Sequence, residues 1–207
     1  MKTSVYIDGF NLYYGALKNT PYKWLDPLAL CRVIIPSNNV TSIKYFTAKV
    51  TSRPDDPDKL NRQNIYLRAL QTIPILTIHL GHFLTHVVRM PLAHPQPGRP
   101  TTIEVIKTEE KGSDVNLATH LLVDAWNNQF DCAVVISGDS DLKTPILVVI
   151  EDFKKTVGVI NPHTKPSIAL KNIAHFYKPI RESALHSSQF PPVLTDGMGS
   201  FHKPASW

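Results

Sequence analysis

The sequence predicts an α/β fold: a three-layer sandwich with a mostly parallel central sheet. Short β-branched runs recur, separated by stretches with helical apolar periodicity. The run Cys132–Ile136 is continuously apolar, as strands buried on both faces are. Two such runs stop abruptly at acidic, glycine-containing turns, Ile7-Asp8-Gly9-Phe10-Asn11 and Ser137-Gly138-Asp139-Ser140-Asp141.

Taken in order, Val5-Tyr6-Ile7 reads as a strand ended by Asp8-Gly9, and 11–18 as a helix carrying Leu12, Tyr13, Ala16 and Leu17 at helical spacing. Residues 42–50 form a second strand. Asp55-Asp56-Pro57 then supplies an N-cap and a first-turn proline for a helix through about Ile73. Residues 75–80 and 102–106 are strand-like. Between them, 81–101 reads as a proline-rich excursion from the sheet, because Pro91, Pro95, Pro97 and Pro100 oppose regular structure. Ser113-Asp114 opens a helix with Leu117, Leu121, Leu122 and Ala125 on one broad face. Asp141 opens the next, and 156–160 is the strand after it. Repeated βα units imply parallel neighbours with both faces covered, since parallel strands need crossover connections. The domain is expected to span 1–182. Residues 183–207 lack periodicity and read as a C-terminal tail, ordered only if Phe190, Leu194, Phe201 and Trp207 dock.

With 207 residues, one domain plus an appendage is expected, and ordinary apolar and charged fractions exclude a disordered or fibrous chain. Lys and Arg outnumber Asp and Glu by 22 to 17, a net charge of +5 that suits a polyanionic substrate. Cys31 and Cys132 are far apart, and Cys132 lies in the apolar strand, which argues against a disulfide framework or a zinc site. A cytoplasmic location is expected: the first residues run straight into a strand, with no signal-peptide h-region, and no apolar stretch is long enough to span a membrane.

In an open parallel sheet, ligands bind beyond the carboxyl ends of the strands. Asp8 ends the first strand, Asp139 and Asp141 follow 132–136, and Asp114 opens the helix after 102–106. Carboxylates gathered there repel one another unless a cation compensates. A hard divalent ion such as Mg²⁺ or Mn²⁺ would do so while keeping water in its shell, and that water serves phosphodiester hydrolysis. Gly9 and Gly138 would let the backbone approach closely, Asn11 would orient a water or phosphate without adding charge, and Ser137 would assist it. Taken singly, Asp114 and Asp141 also suit helix capping.

The motifs Tyr6-Ile7-Asp8-Gly9-Phe10-Asn11-Leu12-Tyr13, Glu110-Lys111-Gly112-Ser113-Asp114-Val115-Asn116 and Val135-Ile136-Ser137-Gly138-Asp139-Ser140-Asp141-Leu142 resemble the NYN-domain family, the LabA-like branch of the PIN-like nuclease superfamily. The likeness covers about residues 1–180. It implies a Rossmann-like, PIN-like fold, a Mg²⁺ or Mn²⁺ site at Asp8, Asp114, Asp139 and Asp141 with Asn11 as polar partner, and hydrolysis of RNA. Many relatives carry a further Asp where this chain has His120, which is read as a helix-surface histidine. Asp124, ten residues beyond Asp114, lies about 15 Å along a helix and is too far to replace that acid.

Lys111 and Lys143 flank the expected ligands, while Lys49, Arg53, Lys59, Arg62 and Arg68 follow the second strand. Lys111, Lys143, Arg53, Arg62 and Ser137 are the candidates for substrate contact. Tyr13, Tyr14, Trp24 and Tyr66 are candidates for stacking on bases of single-stranded RNA. His79, His82, His86 and His94 fit no standard zinc spacing. Two other readings stay open: a module that binds RNA or protein without turnover, and a 6-hydroxy-3-succinoylpyridine hydroxylase, the NADH-dependent monooxygenase of nicotine breakdown for which some similar sequences are named. No Gly-X-Gly-X-X-Gly or flavin motif supports the hydroxylase. Self-association into a homodimer is left open.

Overall fold

A computed structural model describes residues 1–52 and 54–207, so Arg53 lies outside the described residues. At the centre stands β1 (Lys2–Asp8), buried from Thr3 onward. It is flanked by β2 (Asn39–Ala48) and by β5 (Cys132–Ile136), both parallel to it. Outward on one side lie β3 (Leu76–Pro91) and β4 (Thr102–Lys111), and on the other β6 (Thr156–Asn161) and β7 (Phe176–Pro179). The order is β4-β3-β2-β1-β5-β6-β7, and only β4 runs antiparallel to its neighbour. The expected α/β, mostly parallel, PIN-like three-layer fold is therefore the observed one.

Strand alternation divides the apolar residues between two cores. Val5, Ile7, Ile43, Val134 and Ile136 meet α2 (Pro27–Ile34) and α3 (Lys59–Gln71), while Tyr6, Phe46, Ala133, Val135 and Val159 meet α4 (Ser113–Trp126) and α5 (Lys143–Glu151). The chain builds outward from β1 through β2, β3 and β4, then crosses back to β5. The reversal of strand order thus falls at the β1/β5 boundary, the place where open sheets leave a crevice.

Several elements differ from the expectation. After β1 the helical turn is short: α1 (Gly9–Leu12) passes into a π turn at Tyr13–Leu17. Helix α2, capped by Asp26, buries Pro27, Leu30 and Cys31 at helical spacing and was not among the expected elements. Helix α3 begins at Lys59, behind a turn containing Asp55, Asp56 and Pro57. The segment 81–101 is not irregular throughout. β3 continues unbroken to Pro91 and pairs with β4 from His82↔Lys111 to Pro91↔Thr102, a two-stranded arm with its loop at 92–101. Pro91 is tolerated because it sits at the strand end, where no further ladder bond is lost.

The segment 183–207 packs on the domain. Helix α6 (Ile168–Lys171) leads into β7, and α7 (Glu182–Ser187) and the hairpin β8 (Val193–Asp196) with β9 (Gly199–His202) close the chain. Phe190 and Phe201 are buried, and Leu194 and Trp207 pack against the same core. Arg68 holds the hairpin by a two-pronged bond to Asp196, 2.7 Å at each oxygen, with its guanidinium 4.2 Å from the Phe201 ring centroid.

Candidate active site

Register brings the two acidic turns together. Ile7 pairs with Ile136, so the next residues, Asp8 and Ser137, emerge side by side at the crevice. The buried Ser137 hydroxyl donates to Asp8 Oδ2 at 3.1 Å and accepts from the Asp139 amide at 3.1 Å. Asp8 Oδ1 accepts from the Asn11 amide at 2.9 Å, which caps α1. Asn11 Oδ1 in turn accepts from the Gly138 amide at 2.9 Å and lies 2.7 Å from His163 Nε2. An amide oxygen only accepts, so His163 presents its N–H to Asn11. Three loops are thereby clasped at one point.

The glycines serve close approach rather than unusual dihedrals. A Cβ on Gly9 would stand 2.7 Å from the Tyr45 ring and 2.8 Å from the Phe46 carbonyl oxygen. On Gly138 it would stand 2.7 Å from the His163 ring and 2.8 Å from Asn161 Oδ1. Asn161 Oδ1 is itself buried with no hydrogen-bond partner among the described residues.

The aspartates are close enough to feel one another's charge. Burial pushes the Asp8 carboxyl above its ordinary range, and Asp139 adds to the rise against the bonds from Asn11 and Ser137. Asp114 is pushed up to about 6, first by burial and then by Asp8, Asp139, Glu110 and Asp141. Glu110 Oε1 accepts from the Ser113 amide and hydroxyl, tying the start of α4 to the end of β4 and so fixing where Asp114 stands. Asp139 Oδ1 accepts from the Asp141 amide at 2.9 Å, which caps the 3-10 turn Ser140–Leu142. The cap of this turn is therefore Asp139 and not Asp141, for which capping was expected, and the second Asp139 oxygen stays available.

Among the described residues, no three His, Cys, Asp or Glu side chains stand as a ready-made metal cage. An all-oxygen donor set under mutual repulsion does suit a hard cation held by one or two direct carboxylates and several waters, the manner in which Mg²⁺ is usually bound. The donors therefore fit a water-rich Mg²⁺ or Mn²⁺ site.

Other expected residues take different places. Ser137 is fully buried and its single proton goes to Asp8, so it positions the aspartate and has none left to donate to substrate. Asn11 uses its oxygen to brace the loops, leaving only its amide NH₂ for a ligand. Lys111 is exposed and 3.4 Å from Glu109, and Lys143 is exposed at the start of α5, two residues beyond Asp141. Arg62 is bound through both oxygens of Asp56. Trp24 is buried and donates to the Pro191 carbonyl, so it is closed to a base, whereas Tyr13, Tyr14 and Tyr66 line a cavity beside Gly9 and Phe10.

His120 packs against His79 and Phe46, with ring centroids 4.1 and 5.6 Å away. Burial and nearby Lys44 push both histidines down, so they stay neutral at neutral pH. Asp124 is tied to Lys44 at 2.6 Å and to the Tyr6 hydroxyl at 2.7 Å. Neither residue replaces the missing acid. His163 was not singled out from sequence. Its one signal is its place just beyond β6, the strand beside β5.

Residues 2–181 match the NYN domain family. A curated relative, 6-hydroxy-3-succinoylpyridine 3-monooxygenase HspA of Pseudomonas putida (strain DSM 28022 / S16), is 33% identical over 236 aligned positions, covering 100% of this chain and 75% of the relative. The crystal structure of a protein of unknown function, VPA0982 from Vibrio parahaemolyticus RIMD 2210633, superposes with a TM-score of 0.56 at 17% identity. That match covers 91% of this chain and 96% of the other, a likeness of fold. Among the described residues, no helix is long and apolar enough to cross a membrane.

Proposed function

The chain belongs to the NYN domain family, a PIN-like nuclease family, and from that premise we propose that it is a metal-dependent ribonuclease hydrolysing phosphodiester bonds of single-stranded RNA. One observation carries the reading: Asp8 and the loop bearing Asp139 are hydrogen-bonded together through Ser137 at the switch point of the sheet. Asp8 and Asp139, with Asp114 and Asp141 beside them, would hold Mg²⁺ or Mn²⁺. A bound ion would polarise the phosphoryl oxygen and lower the pKa of attacking water. Ser137 and Asn11 keep the carboxylates and loops in place, so little reorganisation accompanies reaction. Lys143 and Lys111, two residues from Asp141 and three from Asp114 in sequence, would offset phosphate charge. The water oxygen bonds to phosphorus, the bridging P–O bond breaks, and the departing oxygen takes up a proton.

The same turn argues against a dinucleotide. In nucleotide-binding α/β folds the pyrophosphate sits on the amides after the first strand. Here Asp8 already occupies the Asn11 amide and presents negative charge there. Single-turnover cleavage of labelled single-stranded RNA with Mn²⁺, by the wild type and by Asp139→Asn, tests the proposal. Loss of cleavage of about 100-fold or more is expected on the scale of removed transition-state electrostatics, and equal rates would refute the assigned role.

The 33% identity to HspA across the whole chain favours a second reading, oxidation of a hydroxypyridine acid with NADH and O₂. Substrate-dependent loss of NADH absorbance with 6-hydroxy-3-succinoylpyridine would establish it, and a flat trace would remove it. RNA binding without cleavage would instead favour a non-catalytic module.

A further inference from the structure

Next to the aspartates, on the face covered by α3, lies a cavity of about 110 Å³ that shares Gly9 and Phe10 with the acidic turn. Its walls are aromatic. Tyr13 and Tyr14 meet edge to face at 5.3 Å, Tyr45 and Tyr66 at 6.4 Å, and Trp207 closes against Tyr66 at 5.7 Å. The Tyr45 ring touches the space Gly9 leaves open, and its phenol feels the Asp8 charge, so the cavity and the acids adjoin. Lys59 also lines it, and no described residue forms an ion pair with Lys59; the neighbouring Arg62 is already neutralised by Asp56. A larger recess of about 320 Å³ continues from it over Phe10, Tyr14, Val50 and Lys59 to Phe83 and Thr108 at the base of the β3–β4 arm. An aromatic pit lined by two lysines, Lys23 and Lys59, that form no ion pair among the described residues therefore opens into a groove beside the acidic turn.

Given the ribonuclease reading on which the ligand rests, we infer that this cavity takes one unpaired pyrimidine base of the strand, with that nucleotide's phosphate at Lys59. Aromatic walls stack on any base. The pit itself, at about 110 Å³, is smaller than an engineered cavity of about 150 Å³ that admits benzene, so of the two base sizes the pyrimidine is the better match, with the larger adjoining recess left for sugar and phosphate. Tyr45 supplies a hydroxyl that no described side chain engages, a polar group for the base edge.

Calorimetric titration of the full chain in chelator, with no divalent ion, tests the pocket apart from any turnover. Uridine monophosphate should bind more tightly than either ribose 5-phosphate or adenosine monophosphate. Tyr14→Ala, at a ring already 55% exposed, should weaken uridine monophosphate about 5- to 150-fold, the span measured for removal of one stacking ring. Lys59→Gln should weaken uridine monophosphate and ribose 5-phosphate alike. Melting temperatures show whether each variant remains folded. Ribose 5-phosphate or the purine nucleotide binding as well as uridine monophosphate, an unchanged Tyr14→Ala, or no nucleotide binding at all would overturn the inference. Uridine monophosphate binding that survives in a chain that cleaves no RNA would remove the ribonuclease reading and leave the pocket standing.

Discussion

Replacing Asp114 by Asn should stabilise the metal-free protein, although Asp114 lies in the first turn of a helix, where a negative charge is normally favourable. Burial and four neighbouring acids raise its carboxyl from 3.8 to about 6. A carboxyl raised on folding keeps its proton in the folded state over roughly pH 4–6, where the unfolded chain has released it. Its contribution therefore opposes folding fully above about pH 6 and vanishes below about pH 4. At full weight that rise corresponds to about 3 kcal/mol. The carboxyl is only half withdrawn from solvent, so screening removes about half or more, and loss of the charge at the start of α4 returns about 0.5 kcal/mol. About 1 kcal/mol of net stabilisation remains at pH 7.5, or about 2–4 °C in melting temperature for a domain of this size. Differential scanning fluorimetry in chelator at pH 7.5 and pH 4.5 reads both arms. The variant should melt higher at pH 7.5, with the difference shrinking at pH 4.5. A lower melting temperature at pH 7.5 would show that the acids do not crowd this carboxyl and that its role is helix capping alone.

Ser137→Ala leaves Asp8 Oδ2 and the Asp139 amide without their shared partner, and should cost about 1–3 kcal/mol while slowing RNA cleavage; denaturant unfolding and the single-turnover assay read the two effects. Lys44→Met leaves the Asp124 carboxylate in a largely buried site without its cation, with the Tyr6 hydroxyl still donating to it, and should cost about 3 kcal/mol, whereas adding Asp124→Leu should recover part of it, as chemical denaturation of the single and double variants would show. Arg68→Ala releases the β8–β9 hairpin and should expose residues after Ser187 to protease; an unchanged digestion pattern would mean Phe190 and Trp207 hold the segment without it.

What could be read from the sequence was local. Asp8 and Asp139 betray themselves because an apolar run ends at each, and the strand-end rule places both at one rim. That their loops lock through Ser137 depends on the Ile7↔Ile136 register, which no local pattern encodes. His163 reaches Asn11 across 152 residues, so its role is visible only once β6 lies beside β5. Four prolines outweighed the alternating apolar residues of 82–91, yet only the one at the strand end enters the ladder. Trp24 looked like a surface platform because an aromatic in a polar stretch gives no sign of what will cover it, and its cover is Phe190 and Trp207, from a segment with no periodicity of its own.

Anomalous diffraction from crystals soaked in Mn²⁺ tests the centre itself. A peak within coordination distance of Asp8 and Asp139 carboxylate oxygens, lost in Asp8→Asn, is the predicted result. A saturating soak that leaves the space between these two side chains without a peak would contradict the account.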